Sequence, residues 1–210
     1  TTSEEEIINL INKLNKDETT GILVQLPLLP KFNKDKIINT IKSEKDVDGL
    51  TDENIIKLVK GERTIIPCTA LGVMKILEEI NAEIEGKHAV IIGRSNLVGK
   101  PLYNLLLNKN ATVTICHSHT KNLKEICLSA DILVCATNKK HLVTSDMVGK
   151  GSILIDVGII RENGKLYGNA DYENIKDITS YITPVPGGVG PLTIAMLANN
   201  LLEACKMQER

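Results

Sequence analysis

From about residue 86 onward, short aliphatic runs over 88–92, 111–116, 131–136 and 152–157 alternate with helical patterns over 98–108 and 121–129. Short aliphatic strands that alternate strictly with helices indicate a parallel sheet covered by helices. The predicted class is α/β, with a Rossmann-like doubly wound parallel sheet. With one Phe and no Trp among 210 residues, its core has to be built from Ile, Leu and Val.

The first part of the chain follows a looser βα pattern. Residues 3–14 open on Ser and three Glu with apolar residues at helical spacing, which predicts a capped amphipathic helix. Gly21-Ile22-Leu23-Val24-Gln25-Leu26, stopped by Pro27, predicts a buried parallel strand. Helices are expected over 34–42, 52–60 and 70–80, the last capped by Thr69. The expected division is a smaller α/β domain over 1–82, a dinucleotide-binding domain over 83–182, and a loop with a helix near 191–206 that returns to the first domain over 183–210.

That loop, Thr183-Pro184-Val185-Pro186-Gly187-Gly188-Val189-Gly190-Pro191, combines residues that fix φ with residues that free it. Such alternation specifies one rigid backbone able to approach a ligand closely, and Pro191 suits the first turn of a helix. An ordinary strand-to-helix connection is the competing reading for a lone cluster of this kind.

Composition narrows the function classes. A net charge of −1 offers no general field for nucleic acid, and no apolar run approaches the roughly 20 residues that span a bilayer. The five cysteines are widely spaced, without a C-x-x-C pair or a His at ligand spacing. A disulfide framework and a metal site are therefore not expected, and Cys116 and Cys135 read as small buried hydrophobes in a reducing compartment. The chain begins at Thr1, which reads as a processed or truncated piece.

The run 88–92 leads into Gly93-Arg94-Ser95-Asn96-Leu97-Val98-Gly99-Lys100-Pro101, a glycine turn at a helix N-terminus where a phosphate is favoured. With Ser95 at the usual middle glycine the fingerprint is degenerate. The next strand ends in Cys116-His117-Ser118-His119-Thr120, without the acid that holds the ribose 2′-hydroxyl in NAD sites. Arg94 and Ser118 suit a 2′-phosphate instead, so NADP is the expected cofactor. The alternative is that Arg94 is a solvated loop residue and Ser118 a helix cap.

Gln25 falls where α/β folds place ligand sites, although a satisfied core amide is the commoner case. Lys45-Asp46-Val47-Asp48-Gly49 sets two acids beside a glycine. A calcium loop is excluded because the third acid is missing. A solvated acidic turn, or one carboxylate recognising an amidine-like heterocycle, remain open. Tyr172-x-x-x-Lys176 has the spacing of a proton-transfer pair, but it follows the turn-rich excursion Asn163–Gly168 and reads as a decoy.

Taken together, Val24-Gln25-Leu26-Pro27-Leu28, Lys45–Gly49, Pro67-Cys68-Thr69, Gly93–Pro101, Ile155-Asp156-Val157-Gly158-Ile159 and Thr183–Thr193 resemble the bifunctional methylenetetrahydrofolate dehydrogenase/methenyltetrahydrofolate cyclohydrolases, in order and spacing along essentially the whole chain. The resemblance implies a folate domain and an NADP domain with a cleft between them. Hydride passes from the methylene bridge to NADP, and water then hydrolyses the methenyl cation to 10-formyltetrahydrofolate. It places Gln25 beside a catalytic lysine and Asp48 on the pterin ring. Val24 and Leu26 flank the substrate and Pro186, Gly187, Gly188, Val189 and Gly190 close over it, while Gly93, Arg94, Ser95, Ser118 and Ile159 fall at cofactor positions. It also implies a cytoplasmic or organellar homodimer joined through the cofactor domain. The departures are Ala70, Asn138 and Ile160, where the family commonly has Pro, Gly and Asn. The family's upstream Tyr-x-x-x-Lys segment, source of the catalytic lysine, is not in this sequence, so cyclohydrolase activity is expected to be lost. A shikimate-type oxidoreductase and a non-catalytic NADP-binding fragment are the rival readings.

Overall fold

A computed structural model describes residues 2–209. The chain forms two compact units. The first holds the residues up to Cys68 together with those from Ala195 on, and the second runs from Thr69 to Ile194.

The second unit is built on a five-stranded parallel sheet of β1 (His88–Ile92), β2 (Thr112–Cys116), β3 (Ile132–Cys135), β4 (Ile153–Asp156) and β7 (Tyr181–Ile182), in the order β2-β1-β3-β4-β7. Successive residues of a strand point to opposite faces. Val90 and Ile92 therefore join one core cluster with Cys116, Cys127, Leu133, Cys135 and Leu154. Ala89 and Ile91 join another with Leu102, Leu106, Ile132, Val134 and Ile155. Both clusters are nearly sealed from solvent, which is the double winding read from the alternation of strands and helices. The order reverses between β1 and β3, so the switch point lies at their carboxyl ends. Helices α5 (Gly99–Leu107) and α6 (Leu123–Leu128) make the first two crossovers. The unit also contains α7 (Tyr172–Ile175) and a hairpin of β5 (Ile160–Glu162) and β6 (Lys165–Tyr167), whose Asn163-Gly164 turn has both residues at positive φ. All four tyrosines, Tyr103, Tyr167, Tyr172 and Tyr181, lie in this unit.

Helix α4 (Cys68–Glu79) differs from expectation twice. Ala70, Val73 and Leu77 are buried in the same cluster as β1, so this helix belongs with the sheet and the units divide at Cys68, not at residue 82. Thr69 lies inside the first turn and is not its cap; its Oγ1 accepts a hydrogen bond from Thr193 at 3.3 Å.

In the first unit, α1 (Glu4–Leu14) starts on a full capping box: Ser3 Oγ accepts from the Glu6 N–H and Glu6 accepts from the Ser3 N–H. Helices α2 (Lys34–Ile38) and α3 (Asp52–Val59) are capped by Asn33 and Thr51. Ile11, Ile22, Ile37 and Ile41 form one apolar cluster; Val47, Ile65 and Ala204 form another. The strand expected over 21–26 is reduced to one parallel bridge between Ile22 and Asp46. The segment has a strand's apolar sequence, but no further ladder partner is present among the described residues, and Leu23 is left exposed. The last helix, α8 (Val189–Gln208), carries Pro191 in its first turn, where no N–H is needed. Its later residues hold the first unit: Asn200 Nδ2 donates to the Val47 and Ile66 carbonyls at 2.9 and 2.8 Å, and Arg63 pairs with Glu203 at 2.6 Å.

Candidate functional site

In the second unit the candidate site is the carboxyl edge of the sheet. Gly93 follows β1 at φ +124°, and a Cβ there would strike the Ala136 carbonyl. A Cβ at Gly99 would strike the Gly93 carbonyl. Both glycines are thus demanded by the close approach of strand, turn and helix. Ser95 Oγ accepts from the Val98 N–H at 3.1 Å and its carbonyl accepts from Lys100 at 3.0 Å, which closes the turn. Arg94 and Ser95 are exposed at its crest.

The β2 end forms a second tight turn, with the His117 N–H on Thr120 Oγ1 at 2.8 Å and the Thr120 N–H on the His117 carbonyl at 2.9 Å. Ser118 is exposed at its tip. The cap of α6 is Asn122, so the helix-cap alternative for Ser118 does not hold. Three strand spacings separate the ends of β2 and β4, about 14 Å, a span suited to an extended dinucleotide.

At the β4 end lies a largely apolar cavity of about 380 Å³, lined among others by Ile159, Leu166 and the loop Pro184–Pro191. It brings together Ile159, expected at the cofactor, and Pro186, Gly187, Gly188, Val189 and Gly190, expected at the substrate. Ile159 is 63% exposed. Gly187 sits at φ +104°, and a Cβ at Gly188 would lie 2.6 Å from the Pro184 carbonyl.

Sequence reasoning missed Asp156, the buried last residue of β4. Its carboxylate accepts from the N–H groups of Gly158 and Asn169 at 2.9 Å and of Ala170 at 2.7 Å. Burial pushes this carboxyl upward, while the three N–H donors and the His141 charge pull it down. Asn169, fully buried, braces Thr137 through its backbone N–H and C=O, and a Cβ at Gly158 would strike the Asn169 amide. The one local signal was an acid at the end of an aliphatic run.

In the first unit the two acids of Lys45–Gly49 separate by role. Asp46 is 2% exposed and accepts from the Thr51 N–H at 2.7 Å and Asn54 Nδ2 at 3.0 Å, so it is structural. Asp48 is half-buried, and its Oδ1 accepts from the Cys68 thiol at 3.6 Å. Burial raises the Asp48 carboxyl, the thiol opposes that, and the Asp46 charge adds to it. Burial and the neighbouring carboxylate push Cys68 up to about 12. Gly49 turns at φ +67° with the Ile65 carbonyl where a Cβ would stand. Gln25 is exposed, not a core amide, and donates to the Leu26 carbonyl at 3.1 Å; Val24 and Leu26 are half-buried. Lys176 pairs with Glu173 at 2.5 Å, beside Tyr172 on α7.

Known proteins match over the same stretches. The family model described as tetrahydrofolate dehydrogenase/cyclohydrolase, NAD(P)-binding domain, matches residues 67–209, and that of the family's catalytic domain matches residues 1–48. The bifunctional protein FolD of Caldicellulosiruptor saccharolyticus is 53% identical over 99% of this chain and 77% of its own length. The crystal structure of the Campylobacter jejuni FolD methylenetetrahydrofolate dehydrogenase/cyclohydrolase superposes with a TM-score of 0.97 at 47% identity, covering 99% of this chain and 75% of that one. A Trypanosoma brucei methylenetetrahydrofolate dehydrogenase-cyclohydrolase, described as complexed with NADP cofactor and inhibitor, gives 0.94 at 36% identity, covering 100% and 75%. With a family model matching residues 67–209 and identity of this order along nearly its full length, the chain belongs to the tetrahydrofolate dehydrogenase/cyclohydrolase family.

Proposed function

We infer that the chain oxidises 5,10-methylenetetrahydrofolate to the methenyl form with NADP and hydrolyses that product to 10-formyltetrahydrofolate, a step pair of one-carbon metabolism. The observation that carries this reading is the cavity at the β4 end, where Ile159 meets the Pro186–Gly190 loop. Bound NADP supplies the hydride acceptor. The residues fit it: Gly93 and Gly99 leave the backbone bare at the turn, and Arg94, Ser95 and Ser118 offer donors at the β1 and β2 ends without a carboxylate in the 117–120 turn. The Trypanosoma relative described with NADP supports the choice over NAD.

In this reading Asp48 holds the pterin's ring N–H and amino group, for which an ionised, half-desolvated carboxylate is the right acceptor. Gln25, with Val24 and Leu26 beside it, orients the reacting end of the folate, and the rigid Pro/Gly loop excludes water until hydride has moved. We place the enzyme in the cytoplasm, on the strength of the bacterial relatives, and as a homodimer joined through the second unit, whose edge strand β2 has a free side for pairing; sedimentation tests the dimer. No helix among the described residues is long and apolar enough to cross a membrane.

The test follows NADPH and methenyltetrahydrofolate separately in a mixture of the chain, methylenetetrahydrofolate and NADP. Formation of NADPH is expected, and methenyl consumed beside it shows hydrolysis without the upstream lysine segment, against the loss expected from the sequence. Methenyl accumulating beside NADPH would remove the hydrolytic half, and absence of NADPH would overturn the whole assignment.

A further inference from the structure

One buried residue, Asp156, ties together three segments around the β4 cavity, two through its carboxylate and the third through its backbone. Asp156 holds Gly158 and so the Ile159 wall. It holds Asn169 and Ala170, directly after the β5–β6 hairpin that contributes Leu166. Its own N–H donates to Thr183 Oγ1 at 2.8 Å, and the Thr183 hydroxyl donates back to the Asp156 carbonyl at 3.3 Å, anchoring the start of the Pro/Gly loop. Close approach is built in, since a Cβ at Gly168 would strike the Asp156 carboxylate. A parallel strand end needs no charge for its own sake, and burying one is costly without such donors. Hydride transfer, by contrast, demands that the reacting ring be held to a fraction of an ångström.

We propose that Asp156 is a positioning residue for the nicotinamide end of the cofactor, fixing the Gly158–Ile159 backbone opposite the Pro186–Gly190 loop; this rests on the NADP-dependent dehydrogenase reading. The three N–H donors give the proposal a graded test. In Asp156→Asn one oxygen still serves Gly158 and Asn169, but the new NH₂ group opposes the Ala170 N–H. In Asp156→Ala all three donors are orphaned.

Wild type, both variants and Thr183→Val, as full chains, are compared in three ways. These are kcat and KM for NADPH formation, affinity for adenosine 2′,5′-bisphosphate, which carries the ribose phosphate without the nicotinamide, and amide hydrogen exchange at Gly158, Asn169 and Ala170. Asp156→Asn is expected to lose about tenfold in kcat, with bisphosphate affinity within about twofold of wild type and faster exchange at Ala170 alone. Asp156→Ala is expected to lose more, with faster exchange at all three amides. Should that variant not fold, Thr183→Val, which removes only the bridging hydroxyl, is expected to give the same split on a smaller scale. Unchanged kcat despite faster exchange overturns the proposal. So does bisphosphate affinity falling in step with kcat, which marks a merely structural role. Failure of the dehydrogenase reading is distinguishable, because wild type itself then forms no NADPH.

Discussion

The Cys68 thiol lies 3.6 Å from Asp48 Oδ1 and equally 3.6 Å from the Val47 carbonyl, while Asn200 Nδ2 donates to the same sulfur at 3.4 Å. A thiol pushed up to about 12 stays protonated at any working pH, so it remains a weak donor shared between the Val47 carbonyl and the proposed pterin anchor. Removing it in Cys68→Val takes away the one interaction that lowers the Asp48 carboxyl. The acid limb of the KM–pH profile for methylenetetrahydrofolate is expected to move to higher pH. An unmoved limb would show that Asp48 is not the group titrating there.

Asp48→Asn should separate stability from function. The folded-state pKa of Asp48 is raised above its unfolded value, chiefly by burial, so the stability it contributes is present at low pH and is lost as pH rises through the raised value. The neutral amide escapes that loss. Thermal unfolding at neutral pH should give a higher Tm for the variant, with the gap closing below about pH 4, while substrate affinity falls. A gap that widens on acidification would contradict the burial argument.

Ser118→Asp places a carboxylate on an exposed turn tip, where folding is indifferent to it. Repulsion of the 2′-phosphate should cut kcat/KM for NADP by about tenfold or more, with NAD affected far less. Equal losses for both cofactors would remove Ser118 from the phosphate site.

Gly99→Ala forces a methyl group into the Gly93 carbonyl. Overpacking of this kind costs about 1–3 kcal/mol, read as a lower midpoint in denaturant, and displacement of the turn should weaken NADP binding beyond what the stability loss explains. Wild-type affinity in the folded variant would mean that this turn does not hold the cofactor.

The sheet was legible because burial leaves a local mark: β1, β3 and β4 are short aliphatic runs, the edge strand β2 interleaves Thr112 and Thr114 with apolar residues, and Asn163-Gly164 carried the hairpin signal even though the segment read as an excursion. The segment 21–26 carried the same mark and misled, since a strand exists only with a neighbour and pairing is not local. Thr69 misled because a hydroxyl beside a helical run is equally at home one turn inside it. Asp156 was invisible for a different reason. Its partners stand at 158, 169, 170 and 183, so its role is a property of how four segments converge. Of the two acids at 46 and 48, the chemistry of neither could be chosen until Thr51 and Asn54 were seen to occupy Asp46.

With no Trp in the chain and all four tyrosines between Thr69 and Ile194, tyrosine emission comes from one unit alone. Fluorescence-monitored melting will trace the sheet and be blind to the helices around Asp48, whereas far-ultraviolet dichroism registers both. Any disagreement between the two curves therefore measures, without a label, whether the halves of this enzyme come apart together.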